Sequence, residues 1–111
     1  MMKKLILTSF LLLMSLAAQA VQDIGKINRV YVFKTSYGFN MGTGFPTASA
    51  EYGCEAAWGF ARIESESAGN TNSKEMYSAI LTAFAANKTV KVNVDGCVGK
   101  HFRVSGIYVE D

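Results

Sequence analysis

The apolar residues of this chain fall into short runs whose spacing changes from one segment to the next, and each run predicts one element. Ile27 to Thr35 is rich in Val, Ile and aromatic side chains that alternate between two faces, which is typical of a β-strand. Tyr37 to Gly53 contains four glycines and the only proline. We interpret it as a hairpin and a loop, with a short second strand around Thr47 to Tyr52. Ala56 to Glu64 predicts a third strand.

The segment from Lys74 to Asn87 predicts a helix, and it follows a polar run from Glu64 to Ser73 that we expect to be a surface loop. Apolar side chains recur with helical period and form one stripe that we expect to pack against the core: Met76, Tyr77, Ile80, Leu81 and Phe84. Asn72 is a suitable N-cap, with Glu75 three residues further on as in a capping box. Asn87 can adopt the left-handed conformation that ends a helix.

Two further strands are predicted after the helix. Thr89 to Val94 alternates regularly, so its three valines are expected to face the core. Asp95-Gly96 is typical of a turn. Phe102 to Val109 predicts the last strand, and its apolar residues change phase at Ser105-Gly106, which predicts a β-bulge.

The predicted order is therefore three strands, a helix and two strands in a β-rich α+β domain. A helix between the third and fourth of five strands is the order of the small oligonucleotide/oligosaccharide-binding (OB) barrel, and we expect a five-stranded OB-like barrel. An open antiparallel sheet with one packed helix has the same order of elements and stays the alternative.

The first twenty residues have the features of a secretory signal peptide. Lys3 and Lys4 precede an apolar stretch from Leu5 to Leu16, and Ala18-Gln19-Ala20 is a small-x-small cleavage site. We expect cleavage after Ala20, which leaves a single small domain over residues 21–111. Its expected location is secreted or periplasmic, without membrane insertion, because a helix needs about 20 apolar residues to cross a bilayer.

The balance of charge excludes one class of partner. Two of the 11 basic residues lie in this leader, and the remainder balance the 9 acidic residues. A formally neutral domain lacks the clustered cations with which proteins neutralise phosphates, so we do not expect binding to nucleic acid.

Cys54 and Cys97 are the only cysteines. In an oxidising compartment, two cysteines in a small domain are expected to form a disulfide. The bridge would close a loop of roughly 44 residues, for which chain entropy gives about 4 kcal/mol of stabilisation. The sequence has no Cys-x-x-Cys motif, which argues against a redox function.

The second part of the chain, over residues 55–110, resembles the B subunits of pertussis-type toxins, a group that includes subtilase cytotoxin and the typhoid-toxin group. The resemblance lies in a hydrophobic pattern with cysteines: Trp58 in a strand, Tyr77-x-x-Ile80-Leu81-x-x-Phe84, Thr89-Val90-x-Val92, Cys97 and Val104-x-x-Ile107. It implies an OB barrel, a ring of five subunits and the binding of host glycans, which are often sialylated. It transfers no sugar-binding residues, because the first part of the chain does not align with that family.

Catalytic chemistry is not expected. His101 is the only histidine, so neither a pair of acid–base histidines nor a histidine-rich zinc site can be assembled. No Gly-x-Ser-x-Gly motif is present. Glu64 and Glu66 belong to the polar run, and we interpret them as solvated charges rather than a catalytic pair. We therefore expect a non-catalytic protein with no metal and no cofactor.

The segment 37–46 interleaves aromatic residues with glycines and small polar residues. If exposed, its rings would offer flat surfaces to a sugar or a protein, and its amide and hydroxyl groups would offer hydrogen bonds. The candidate ligand-binding residues are Tyr37, Phe39, Asn40, Thr43 and Phe45. The alternative, which we favour, is a twisted hairpin whose aromatic side chains fold onto the barrel.

The expected function is binding, with a glycan or a protein surface as the partner. A glycan-binding protein like a toxin B subunit would form a homo-oligomeric ring. The alternative is a periplasmic inhibitor or protein-interaction module, for example one that inserts the 37–46 loop into an enzyme.

Overall fold

The computed structural model describes residues 20–54 and 60–110 of the chain. The predicted signal peptide up to Gln19, and the part of the third strand that contains Trp58, lie outside the described residues. The described elements are five strands, two α-helices and one short 3₁₀ helix: β1 Val21–Val32, β2 Ser36–Met41, α1 Pro46–Tyr52, β3 Phe60–Glu64, the 3₁₀ helix Glu66–Ala68, α2 Ser73–Ala85, β4 Thr89–Val98 and β5 His101–Val109.

The five strands form one sheet that closes into a ring in the order β1-β2-β3-β5-β4, because β1 also pairs with β4. All pairs are antiparallel except β3 and β5, which run parallel with Ala61 opposite Phe102. The sheet is therefore a closed one and not the open antiparallel sheet that was the alternative.

Strand β1 closes the ring because its two halves pair with different strands. Val21–Lys26 pairs with β4, whereas the part from Ile27 onward pairs with β2. A β-bulge at Asn28 lies just inside the second half, where the register shifts between Ile27 and Arg29. The strand therefore begins six residues before the predicted start at Ile27, in a segment with less apolar character.

The core fills the interior of the closed sheet, and residues of both helices belong to it. The three alternating valines of β4 are fully buried, which confirms their predicted inward direction. Buried rings and aliphatic side chains from every strand and both helices complete it: Ile27, Phe39, Met41, Phe45, Ala48, Ala61, Ile63, Ile80, Ala83, Val90, Val92, Val94, Phe102 and Val104.

The strand predicted around Thr47 to Tyr52 is wrong, because this segment is helix α1. Pro46 occupies the first turn, where its missing N–H costs nothing. The buried carboxylate of Asp23 accepts hydrogen bonds from the backbone N–H groups of Thr47 and Ala48, both at 2.9 Å. Gly53 then ends the helix in the left-handed conformation. The second strand is instead Ser36–Met41, within the segment assigned to the hairpin.

Helix α2 agrees with the predicted helix, but its buried face is rotated from the predicted stripe. Ile80 and Ala83 are buried, whereas Leu81 and Phe84 remain 39% and 42% exposed. The side chain of Asn72 makes no capping hydrogen bond. Asn87 has a φ of 52° immediately after the helix, which confirms its predicted left-handed conformation.

Strand β4 passes through the turn that was predicted at Asp95-Gly96 and continues to Val98. Asp95 and Gly96 together oppose the single residue Arg103, so they form a β-bulge instead of a turn. Arg103 holds this bulge in the sheet, because its Nε donates to the Asp95 carboxylate at 2.7 Å. The predicted bulge in β5 is confirmed at Ser105, where the register also shifts.

The disulfide between Cys54 and Cys97 is confirmed, with a Cα–Cα distance of 5.8 Å. It joins the segment after α1 to the last part of β4. The bridge therefore fastens the chain that leaves the first helix to β4.

Candidate functional site

The structure separates the rings of the predicted 37–46 site from its polar groups. Phe39 and Phe45 are 0% and 2% exposed, and both pack in the core, where Phe45 also contacts Phe102. Tyr37 stacks on Tyr77 of α2 with ring centroids 4.1 Å apart. The fold therefore uses these three rings for packing, as the favoured alternative expected, but the segment is strand β2 and the start of α1 and not a hairpin.

The polar members of the predicted site do come together. Asn40 and Thr43 line a cavity of about 410 Å³ with Asn28 and Arg29. We refer to this cavity, with these four lining residues, as the polar cavity. The Thr43 hydroxyl donates to the carbonyl oxygen of Ile24 at 3.3 Å, which fixes one wall of it.

Next to the polar cavity, four rings form a cluster that sequence reasoning missed. Tyr31, Phe33, Phe60 and His101 lie on the outer face of the sheet, and each is partly exposed. We call this cluster the aromatic platform. Phe60 is its centre, with ring centroids 4.6 Å from Tyr31, 5.8 Å from Phe33 and 4.3 Å from His101. The rings of Tyr31 and Phe33 are nearly parallel, with an interplanar angle of 13°.

Strand register explains how distant residues form the aromatic platform. In one row across the sheet, Arg29 lies opposite Asn40 and Asn40 lies opposite Phe60. In the next row, Gly38 lies between Tyr31 and Arg62. Because side chains alternate along a strand, both rows point outward while the residues between them fill the core.

The glycine in the second row makes room for the rings. A Cβ atom on Gly38 would lie 2.9 Å from a ring carbon of Phe33 and 2.9 Å from one of Phe60. Any side chain at this position would therefore push the rings off the sheet.

Two guanidinium groups border the aromatic platform. The Cζ atom of Arg62 lies 4.8 Å from the centroid of Phe33, a cation–π distance. Nη1 of Arg29 donates to the Tyr31 hydroxyl at 3.2 Å. Because Arg29 also lines the polar cavity, it joins the two parts of the site.

His101 is the titratable member of the aromatic platform. Burial, and secondarily the positive charge of Arg62, lower the pKa of His101 from its ordinary value of 6.5. Its Nδ1 atom is buried and has no hydrogen-bond partner among the residues that the structure describes. The lowered pKa favours the neutral form of the ring, which contributes an aromatic surface to the cluster.

Within residues 20–54 and 60–110, no group of three or more His, Cys, Asp or Glu side chains is placed to hold a metal ion. No helix in this part of the chain has the length and apolar character needed to cross a membrane.

Comparison of the chain with protein families, with curated proteins and with solved structures gave no match.

Proposed function

We propose that this domain is a secreted, non-catalytic binding protein with an OB-like barrel, and that it binds a glycan on the aromatic platform. The observation that carries the proposal is the position of the four rings. Tyr31 and Phe33 lie at and just after the end of β1, Phe60 begins β3 and His101 begins β5. The rings therefore lie beside the turn between β1 and β2 and the turn between β4 and β5, and they flank Gly38 of β2. In OB barrels, the face of strands 2 and 3 and these same two turns take oligosaccharides and oligonucleotides.

The chemistry of the aromatic platform fits a sugar. A pyranose has an apolar face of C–H groups and a rim of hydroxyls, so it matches a flat ring bordered by hydrogen-bonding groups. Phe60 and Tyr31 supply partly exposed rings, and Arg29 supplies donors at their edge. The balanced charge after removal of the leader favours a sugar over a nucleic acid, whose binding relies on neutralised phosphates.

The disulfide supports secretion, because such bridges persist in oxidising compartments. Together with the pattern of the leader, it favours the periplasm or the exterior of the cell as the place of action. The resemblance to toxin B subunits points to the same class of ligand.

A second candidate function is protein binding through the opposite outer face of the sheet, where β1, β4 and β5 meet. Ile24 and Tyr108 are 54% and 52% exposed there, and each lies opposite Lys91 in the sheet. This face would carry contacts between subunits of a ring or contacts with a target enzyme. Light scattering separates the two, since a ring has the mass of about five subunits and a simple inhibitor that of a monomer or dimer.

The glycan proposal is tested on a printed array with the disulfide-bonded domain and two single variants. Phe60→Leu keeps an apolar side chain in the sheet but removes the ring at the centre of the aromatic platform. Phe84→Leu is the matched control, because Phe84 is a partly exposed ring on α2, outside the candidate site. We expect binding that Phe60→Leu weakens at least tenfold and Phe84→Leu leaves unchanged. An array without bound glycans, or equal binding by the Phe60→Leu variant, would contradict the proposal.

A further inference from the structure

The polar cavity lies one strand away from the centre of the aromatic platform. Asn40 is the cross-strand neighbour of Phe60, and adjacent strands are about 4.8 Å apart. Arg29 is the neighbour of Asn40 on its other side, and it also donates to the hydroxyl of Tyr31. The two parts of the site therefore form one continuous surface with a shared guanidinium group.

Local backbone features keep the polar cavity open. The bulge at Asn28 adds an exposed amide to its wall, at the point where β1 changes register. A Cβ atom on Gly42 would find its nearest neighbours only at 3.9 Å, and one on Gly44 would meet nothing within 4 Å. With a volume of about 410 Å³, the cavity falls within the range of about 300–1,000 Å³ typical of small-ligand sites.

The groups that line the polar cavity suit a polyhydroxylated ligand. Two amides, a hydroxyl and a guanidinium offer both donors and acceptors, and the only charge is that of Arg29. Met41 and two glycines, Gly42 and Gly44, complete the lining. No aromatic ring lines it. Its chemistry therefore complements that of the aromatic platform, which offers flat apolar surfaces.

We infer that the polar cavity is a second sugar subsite, and that the ligand is an oligosaccharide of at least two linked residues. One residue stacks on the aromatic platform, and its neighbour places its hydroxyls in the polar cavity. This inference rests on the proposed function, since it extends the same glycan from one part of the site to the other.

The experiment compares the binding of saccharides that contain one, two or three sugar residues. The array carries, for each terminal hexose, the monosaccharide and the di- and trisaccharides that end in it. The best disaccharide and the methyl glycoside of its terminal hexose are then titrated by calorimetry. We expect the disaccharide to bind at least tenfold more tightly than the methyl glycoside.

Variants at residues of the polar cavity show whether this cavity accounts for the difference in affinity between the disaccharide and the methyl glycoside. Asn28→Ala and Thr43→Val are each expected to weaken the disaccharide roughly five- to tenfold, the loss of about one hydrogen bond, without changing the affinity for the methyl glycoside. Gln22→Ala is the matched control, because Gln22 is also an exposed amide on β1 but belongs to the part that pairs with β4. It should change neither affinity.

The outcomes distinguish this inference from the proposed function. Equal affinities for the disaccharide and the methyl glycoside, both lowered by Phe60→Leu, would overturn the second subsite and leave the aromatic platform. Disaccharide binding that neither Asn28→Ala nor Thr43→Val weakens would also overturn it. A domain that binds no glycan, or binds one independently of Phe60, overturns the proposed function and the subsite together.

Discussion

The ring of Phe60 in β3 lies directly above Gly38 in β2, so closely that a Cβ atom on the glycine would come within 2.9 Å of its Cζ atom. The ring of Phe33 reaches the same point from the end of β1, also to 2.9 Å. The rings of Phe33 and Phe60 thus pack against the backbone of Gly38, which has no side chain to keep them away from the sheet.

Gly38→Ala therefore tests the aromatic platform without removing any of its rings. The new methyl group meets only the ends of ring side chains, which can move outward, so we expect a small loss of stability. Glycan affinity should fall at least fivefold because the rings no longer lie flat on the sheet. Gly106→Ala is the control, because the atoms nearest to its Cβ would be side-chain atoms of Asn93, at 3.1 Å or more, and Asn93 is not part of the aromatic platform. Unchanged affinity in Gly38→Ala would show that the arrangement of the rings does not matter for binding.

A substitution at Asp23 tests whether its carboxylate fixes helix α1 to the closed sheet. Its carboxylate is 4% exposed and accepts two backbone hydrogen bonds from the first turn of the helix. In Asp23→Asn one acceptor becomes an amide N–H₂ that faces a donor, so we expect the free energy of unfolding to fall by about 1–3 kcal/mol. Glu51→Gln, at an exposed carboxylate of the same helix, should change it by less than about 0.5 kcal/mol. Urea unfolding measures both variants, and equal stability of the two would contradict this role of Asp23.

The disulfide has an expected stability effect that follows from its loop. Cys54 and Cys97 are separated by 43 residues, and the chain-entropy treatment gives about 4 kcal/mol for a loop of this length. The Cys54→Ala/Cys97→Ala double variant should lose a comparable amount in urea unfolding. Reduction of the unmodified protein should produce the same loss, and a variant as stable as the oxidised protein would contradict it.

His101 gives the domain an expected pH dependence. Its pKa in the folded state lies below 6.5, so the unfolded chain binds more protons below that pH. The contribution of His101 to the free energy of unfolding is therefore greatest above pH 6.5 and falls as the pH drops from 6.5 to the folded-state pKa, below which this contribution stays level. We expect His101→Gln to lack this part of the fall in urea unfolding between pH 7.5 and 5. If an NMR titration of the ring gave a folded-state pKa above 6.5, His101 would instead stabilise the domain at low pH, which would contradict this prediction.

Alternation and periodicity along the chain predicted most of the elements, because local patterns specify local structure. Three such predictions are confirmed: the inward direction of the β4 valines, the bulge at Ser105 and the left-handed conformation of Asn87. The prediction of a strand around Thr47 to Tyr52 was wrong. The helix found there is held by a distant carboxylate, that of Asp23, which the local sequence does not reveal.

The candidate site was harder to predict than the fold. Phe39 and Phe45 lie in a glycine-rich segment typical of an exposed loop, but the alternation of β2 and the position of α1 direct them into the core. The aromatic platform depends on the register of β1, β2 and β3 and on the parallel pairing of β5. One local signal was present: Arg29, Tyr31 and Phe33 alternate on a single face of one strand.

The most direct test of the account is to map glycan binding by NMR on the aromatic side chains of the isotope-labelled, disulfide-bonded domain, with the best disaccharide from the array as the probe. We expect the ring signals of Tyr31, Phe33, Phe60 and His101 to shift in proportion to saturation, while those of Phe84 and Tyr108 stay unchanged. Shifts centred on the ring of Tyr108, with the rings of the aromatic platform unaffected, would contradict glycan binding on the platform and move the binding site to the face where β1, β4 and β5 meet.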